Sequence, residues 1–137
     1  MQKLIWIVLF FSISLSAQRV IDGDTFEYNG QKYRLAYIDA PELSQPIVGQ
    51  LAKKHLEKIL DVSKLRVIAV DKYGRKVVVL GDINFRMVKD GFATVYNYYC
   101  KDVNFIRAEN KARQKKKGIF KYNFVNPQQW RHQNTNS

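Results

Sequence analysis

The sequence has few of the residues that form covalent cross-links or zinc sites. Its 137 residues include one cysteine, Cys100, so a disulfide within the chain is excluded. Its two histidines, His55 and His132, are widely separated and match no zinc-binding pattern. The folded chain must therefore be stabilised by core packing or by ligand binding.

Long apolar segments are also lacking. The one extended apolar run, residues 4–15, is shorter than the ~20 residues that a transmembrane helix needs. Lys3 precedes this run, and the small residues Ser16 and Ala17 follow it, as in a secretory signal peptide. We expect residues 1–17 to be removed during export, which would deliver a protein without a membrane span to the medium, a periplasm or the cell envelope. An uncleaved membrane anchor is the alternative.

Acidic residues are scarce relative to basic ones. The chain has 12 Asp and Glu against 23 Lys and Arg, a formal net charge of +11. This imbalance predicts attraction to polyanions such as nucleic acids or anionic lipids, although it would also arise from a basic, solvated surface. With 46% hydrophobic residues, the chain is not a disordered polymer. Nothing indicates a stable protein partner, and we expect a monomer.

The remaining pattern predicts one small domain without internal repeats. Asn29-Gly30 is a strong hairpin signal between two strands, and Asp102 is placed to cap a helix that ends before Gly118. Short strands without a βαβ alternation predict an α+β, mostly β fold built as a small barrel. We assign residues 18–122 to this domain and 123–137 to a polar, loosely docked C-terminal tail. Strands are predicted over 19–21, 25–28, 32–38, 64–70, 75–80 and 92–99, and helices over 49–60, 84–90 and 102–117.

Charged side chains form three clusters where predicted strands end. The first cluster contains Asp24 and the second contains Asp39. These two clusters lie on adjacent strands, so the two carboxylates could meet in a twisted barrel. Two facing carboxylates repel unless a cation lies between them, and oxygen ligands alone favour Ca²⁺ or Mg²⁺. Taken singly, each Asp could be a turn or capping residue, Arg34 a surface strand residue and Glu42 a loop carboxylate. The three clusters are Asp22-Gly23-Asp24-Thr25, Arg34 with Asp39-Ala40-Pro41-Glu42, and Asp71-Lys72-Tyr73-Gly74-Arg75.

These clusters, in this order, closely resemble the staphylococcal nuclease family. Further matching residues continue as far as Trp130-Arg131, so the resemblance covers about residues 20–131. It implies an OB-fold, a five-stranded β-barrel with three α-helices. It also implies Ca²⁺-dependent hydrolysis of phosphodiester bonds in DNA and RNA with low sequence specificity.

The resemblance assigns roles around the cation. Asp24 and Asp39 match the carboxylates that bind Ca²⁺, and Ala40 lies where a backbone carbonyl completes the site. Asp22 matches an acid next to the metal. The resemblance thus selects Ca²⁺ from the two hard cations that the residues themselves allow.

The resemblance also assigns roles around the substrate. Glu42 matches the carboxylate that activates or orients the attacking water, and Arg34 and Arg75 match the arginines that clamp the scissile phosphate. The forked guanidinium suits a phosphate's paired oxygens. Four further residues are candidates for substrate binding: Lys72, Tyr73, Tyr96 and Tyr99.

Some features leave alternatives open. The loop 43–48 is shorter than in the family's type member, so substrate preference does not follow from the resemblance. The same barrel could bind single strands without cutting them, or a cationic protein could attach to anionic cell surfaces. A protein that only binds has no need of Glu42 between two acids and two arginines, and this favours the enzyme.

Overall fold

The computed structural model describes residues 17–135. The expected signal peptide therefore lies almost wholly outside the described residues. Within the described range no helix combines the length and the apolar character that a bilayer span requires. The elements are β1 Gln18–Asp22, β2 Thr25–Tyr28, β3 Gln31–Leu35, β4 Ile38–Asp39, α1 Val48–Ile59, β5 Leu65–Val70, β6 Lys76–Leu80, α2 Ile83–Lys89, β7 Thr94–Val95, α3 Val103–Gln114 and α4 Pro127–Asn134, with 3₁₀ turns at Val62–Lys64 and Gly118–Lys121.

Five strands form one sheet in the order β1-β2-β3-β6-β5. All neighbours are antiparallel except β3 and β6, which run parallel. Asn29 and Gly30 both have positive φ, 49° and 78°, and make the predicted tight hairpin between β2 and β3. The arrangement is that of an OB-fold, a partly open five-stranded barrel, so the predicted fold class is confirmed.

Two predicted strands are shorter than expected. The predicted strand 32–38 is interrupted after Leu35, because Tyr37 has a φ of 71°, and the chain then pairs separately as β4 with β7. Of the apolar segment 92–99, only Thr94 and Val95 are extended. Apolar content alone overestimated both strands, because it does not report a backbone reversal.

The structure of the C-terminal segment differs from the prediction. Residues 123–137 were expected as a loosely docked tail beyond three helices, but they contain a fourth helix, α4. Asn126 caps it by accepting a hydrogen bond from Gln128 N (3.0 Å), and Pro127 occupies the first turn. The polar composition concealed a helix that docks through hydrogen bonds rather than through an apolar stripe.

The core lies between the sheet and the helices. Helix α1 covers β1 with its buried Ala52 and Leu56. Cys100 is a buried free thiol. The largest fully buried apolar side chains are Phe26, Leu35, Ile38, Leu56, Leu80, Met87 and Ile119.

One buried polar side chain links the strands that lead into the candidate site. Asn84 Nδ2 donates to Ala36 O (3.1 Å) and Val78 O (3.0 Å), while its Oδ1 accepts from Leu80 N (3.0 Å). Both ends of the amide are therefore satisfied, as burial requires. Asn84 fixes the chain after β3 against β6, just before it enters β4.

Candidate active site

Asp24 lies in the turn between β1 and β2 and is buried. Its Oδ1 accepts from Thr25 Oγ1 (3.0 Å), and its Oδ2 accepts from Ala40 N (2.8 Å). Burial alone raises the pKa of Asp24, but the charge of Arg34 and these hydrogen bonds outweigh it, so the pKa lies below its ordinary value. Asp24 is therefore ionised at neutral pH.

Asp22 lies beside Asp24 and behaves differently. Burial and the neighbouring charge of Asp24 together raise the pKa of Asp22 to about 8, whereas the pKa of Asp24 is lowered. Of the two neighbouring acids, Asp24 is therefore the one that carries the negative charge more readily. The turn between them has no room for a side chain, because a Cβ on Gly23 would lie 2.6 Å from Ala52 Cβ and 2.7 Å from Ala40 Cβ.

Asp39 comes from β4, and its side chain is only 1% exposed. Its Oδ1 lies 3.4 Å from Arg34 Nη2, and the same nitrogen lies 3.5 Å from Asp24 Oδ2. Burial raises the pKa of Asp39; hydrogen bonds from Arg131 oppose this, while the charge of Asp24 adds to it. The structure thus brings Asp24 and Asp39 to one guanidinium group, as the twisted-barrel argument expected.

Arg34 is fixed by the backbone as well as by the acids. It lies on β3 opposite Thr25 of β2. Its Nη1 donates to the carbonyl oxygens of Leu35 and Ile38, the latter at 2.8 Å. The reversal at Tyr37 turns Ile38 O back toward the guanidinium. The interrupted strand therefore orients this arginine.

Glu42 is carried by the loop between β4 and α1. Its side chain is 34% exposed, and its Oε1 accepts from Arg131 Nη1 (3.0 Å). Helix α1 starts so close to this loop that a Cβ on Gly49 would overlap the Glu42 carbonyl oxygen. The loop is thus packed directly on the helix rather than extending from it.

Arg75 joins the group from the hairpin between β5 and β6. Its Nε donates to Asp71 Oδ2 (2.7 Å), and its Nη1 reaches Thr25 Oγ1 (3.4 Å), the hydroxyl that donates to Asp24. Asp71 also caps its own turn by accepting from Tyr73 N and Arg75 N. The sequence pattern assigned no separate role to Asp71, although Asp71 precedes Arg75 by four residues.

Of the four candidate substrate residues, Tyr73 contacts Arg75 and Asp71, whereas no hydrogen bond in the described range joins the side chains of Lys72, Tyr96 and Tyr99 to the site residues. Tyr73 is 72% exposed, with Lys72 Nζ 5.1 Å and Arg75 Cζ 5.5 Å from its ring centre. Tyr96 and Tyr99 pack on each other with ring centres 5.0 Å apart. Along residues 17–135 no hydrogen bond links either tyrosine side chain to the site carboxylates. Their substrate roles stay predictions.

Arg131 of α4 is the residue that sequence reasoning did not assign. Its Nη2 donates to Asp39 Oδ2 (2.6 Å), and its Nη1 donates to Asp39 Oδ1 (3.0 Å) as well as to Glu42. The hydrogen bonding to Asp39 raises the pKa of Arg131, so the guanidinium stays charged. Trp130-Arg131 was among the residues that match the family. Because the surrounding segment is polar, the sequence gave no reason to place Arg131 beside Asp39 and Glu42.

The chemical type of the donors at this site, which are all oxygen atoms, fits a hard cation. In the described range no three His, Cys, Asp or Glu side chains stand together as a ready metal site. The oxygen donors are the carboxylates of Asp24 and Asp39, which here contact Arg34 and Arg131, and the resemblance adds the carbonyl of Ala40. A weak site of this type would need water to complete it. Burial is the main reason that the pKa values of Asp22 and Asp39 are raised, and the negative charge of Asp24 adds to it; a bound cation would offset that second contribution.

A partly open barrel that carries buried carboxylates beside arginine side chains is suited to binding and hydrolysing an anionic phosphodiester, and this is the class of protein that the fold and the site indicate. The family model described as staphylococcal nuclease homologue matches residues 32–122. The chain belongs to the staphylococcal nuclease family.

Named relatives agree with this assignment. An uncharacterized endonuclease of Haemophilus influenzae is 35% identical, with 84% of this chain and 71% of the relative covered. A micrococcal nuclease of Shigella flexneri is 33% identical over 87% of this chain and 80% of its own. A staphylococcal-like nuclease of Arabidopsis thaliana is 34% identical over 88% of this chain but only 40% of its own.

Proposed function

We propose that this protein hydrolyses phosphodiester bonds in DNA and RNA, with low sequence specificity and with Ca²⁺ as its cofactor. The observation that carries the proposal is the meeting of Asp24 and Asp39 at Arg34, with Glu42 tied to Asp39 through Arg131. The family assignment and the relatives' names support the same reaction class.

The two arginines are proposed to bind the scissile phosphate. A phosphodiester is anionic and gains negative charge on its oxygens as water attacks. Arg34 is already aligned by two backbone carbonyls, and Arg75 by Asp71, so neither side chain needs much reordering to donate. Forked N–H donors fixed in this way favour the transition state.

Glu42 is proposed as the general base. It accepts a proton from water while the water oxygen bonds to phosphorus and the bond to the leaving oxygen breaks. Its partial exposure fits this role, because water must reach the carboxylate. Asp24 and Asp39, with the carbonyl of Ala40, are the residues that would hold Ca²⁺. When bound, the ion would supply positive charge against the phosphate and lower the repulsion of the nucleophile.

The dependence on divalent cations tests this proposal. We expect cleavage of plasmid DNA and RNA with Ca²⁺, little with Mg²⁺ and none with excess chelator, because Ca²⁺ tolerates irregular oxygen coordination and Mg²⁺ requires a tight octahedron. Gel digestion with each ion measures this. Undiminished cleavage in chelator would contradict the metal role, and tight binding without cleavage under every condition would favour the binding-only barrel.

We also propose that the mature chain acts after export. The support is the signal-like pattern of residues 1–17. Mass spectrometry of the protein recovered from its native host should give a mature N-terminus near Gln18. Recovery of a chain that retains Met1 would contradict this and favour the anchored form.

A further inference from the structure

The loop that carries Glu42 is attached to the C-terminal segment at several points. Trp130 Nε1 donates to Ser44 Oγ (3.0 Å). Gln45, which is buried, donates through Nε2 to Val125 O (2.7 Å). Together with the bond from Arg131 to Glu42, these contacts attach the loop to the C-terminal segment at Glu42 and at two positions just after it.

The guanidinium of Arg131 connects two carboxylates with different proposed tasks. One nitrogen, Nη1, lies 3.0 Å from Asp39 Oδ1 and 3.0 Å from Glu42 Oε1, while Nη2 binds the second oxygen of Asp39. A planar fork bound in this way fixes direction as well as distance. The separation between Asp39 and Glu42 is therefore set by one rigid group.

We propose that Arg131 is a positioning residue of the active site, delivered by α4, that holds Glu42 at a fixed distance from Asp39. This inference rests on the proposed function. Without Arg131, the Asp39 carboxylate would keep the 3.4 Å contact to Arg34, and the partly exposed Glu42 carboxylate would lose the guanidinium that holds it.

The test compares Arg131→Gln and Arg131→Lys with the full-length parent. Arg107→Gln is the matched control, since it removes one positive charge from an exposed position on α3. We expect Arg131→Gln to lower kcat roughly 10–100-fold, the usual loss when a partner that orients a site ligand is removed. KM should change no more than in the control. Arg131→Lys should recover part of kcat, because it keeps the charge but not the fork.

Amide hydrogen exchange supplies a readout that is independent of activity. A peptide spanning residues 42–48 should exchange faster in Arg131→Gln than in the parent, because local opening of the loop is no longer opposed. Core peptides and the melting temperature should stay close to those of the control. If Arg131→Gln melts far below the control, the comparison is made with Arg131→Lys, which keeps the charge balance of the acids.

Several outcomes would overturn the proposal. Parent-like kcat in Arg131→Gln means that Arg131 positions nothing, and faster cleavage means that it blocks the site. Lost kcat with unchanged loop exchange means that Arg131 acts on the substrate directly. If the parent itself fails to cut nucleic acid, the proposed function fails, while loop exchange still decides whether Arg131 holds Glu42.

Discussion

Glu42→Gln is expected to lower kcat by roughly 10²–10⁴-fold, the usual contribution of a general base. The amide has nearly the same shape but no longer has a basic oxygen to accept the proton of water. Arg131 Nη1 can still donate to the amide oxygen, so the side chain should stay in place. Binding of nucleic acid should hold or improve, because one negative charge near the phosphate is lost.

The measurement is kcat on a defined oligonucleotide, with a binding isotherm and a melting curve for each variant. Glu57→Gln is the matched control: it removes the same charge from α1, where the side chain is half exposed and only loosely paired with Lys53 at 3.9 Å. We expect the control to behave like the parent. If Glu42→Gln cuts nearly as fast as the control, Glu42 is not the base and the mechanism is wrong.

Arg34→Lys and Arg75→Lys are each expected to lower kcat by about 10²–10³-fold, the cost of losing one preorganised donor to a developing oxyanion. In Arg34 one nitrogen is held by two carbonyls while the other faces Asp24 and Asp39, and a single ammonium cannot do both. In Arg75 the lysine would lose either Asp71 or Thr25. The total charge is unchanged in both variants.

Each Arg→Lys change keeps the positive charge and removes the forked donor, so the series separates the effect of geometry from that of charge. Arg19→Lys serves as the control, because Arg19 is largely exposed on β1 and, among residues 17–135, forms an ion pair with Glu27 alone. Steady-state kinetics should show the loss mainly in kcat, since the forked geometry contributes most as charge develops on the phosphate oxygens. Near-parent rates in both lysine variants would mean that charge alone suffices and that the proposed clamp does not exist.

The sequence by itself determined the features that depend on neighbouring residues. Asn29-Gly30 predicted the β2–β3 hairpin, and Asp102 predicted the start of α3, where its side chain accepts from Asn104 N. Gly91 ends α2 with a φ of 85°, as a glycine at that place should. The identities of the site residues, which stay predictions, also came from local motifs.

Only the tertiary structure decided which of those residues meet. Asp24 and Asp39 reach one nitrogen because the strand breaks at Tyr37, a reversal that apolar periodicity does not record. Arg131 reaches Asp39 across 92 residues. A hydrogen bond between residues so far apart leaves no periodic pattern in the sequence, because nothing in the residues next to either partner refers to the other until the fold brings the two together.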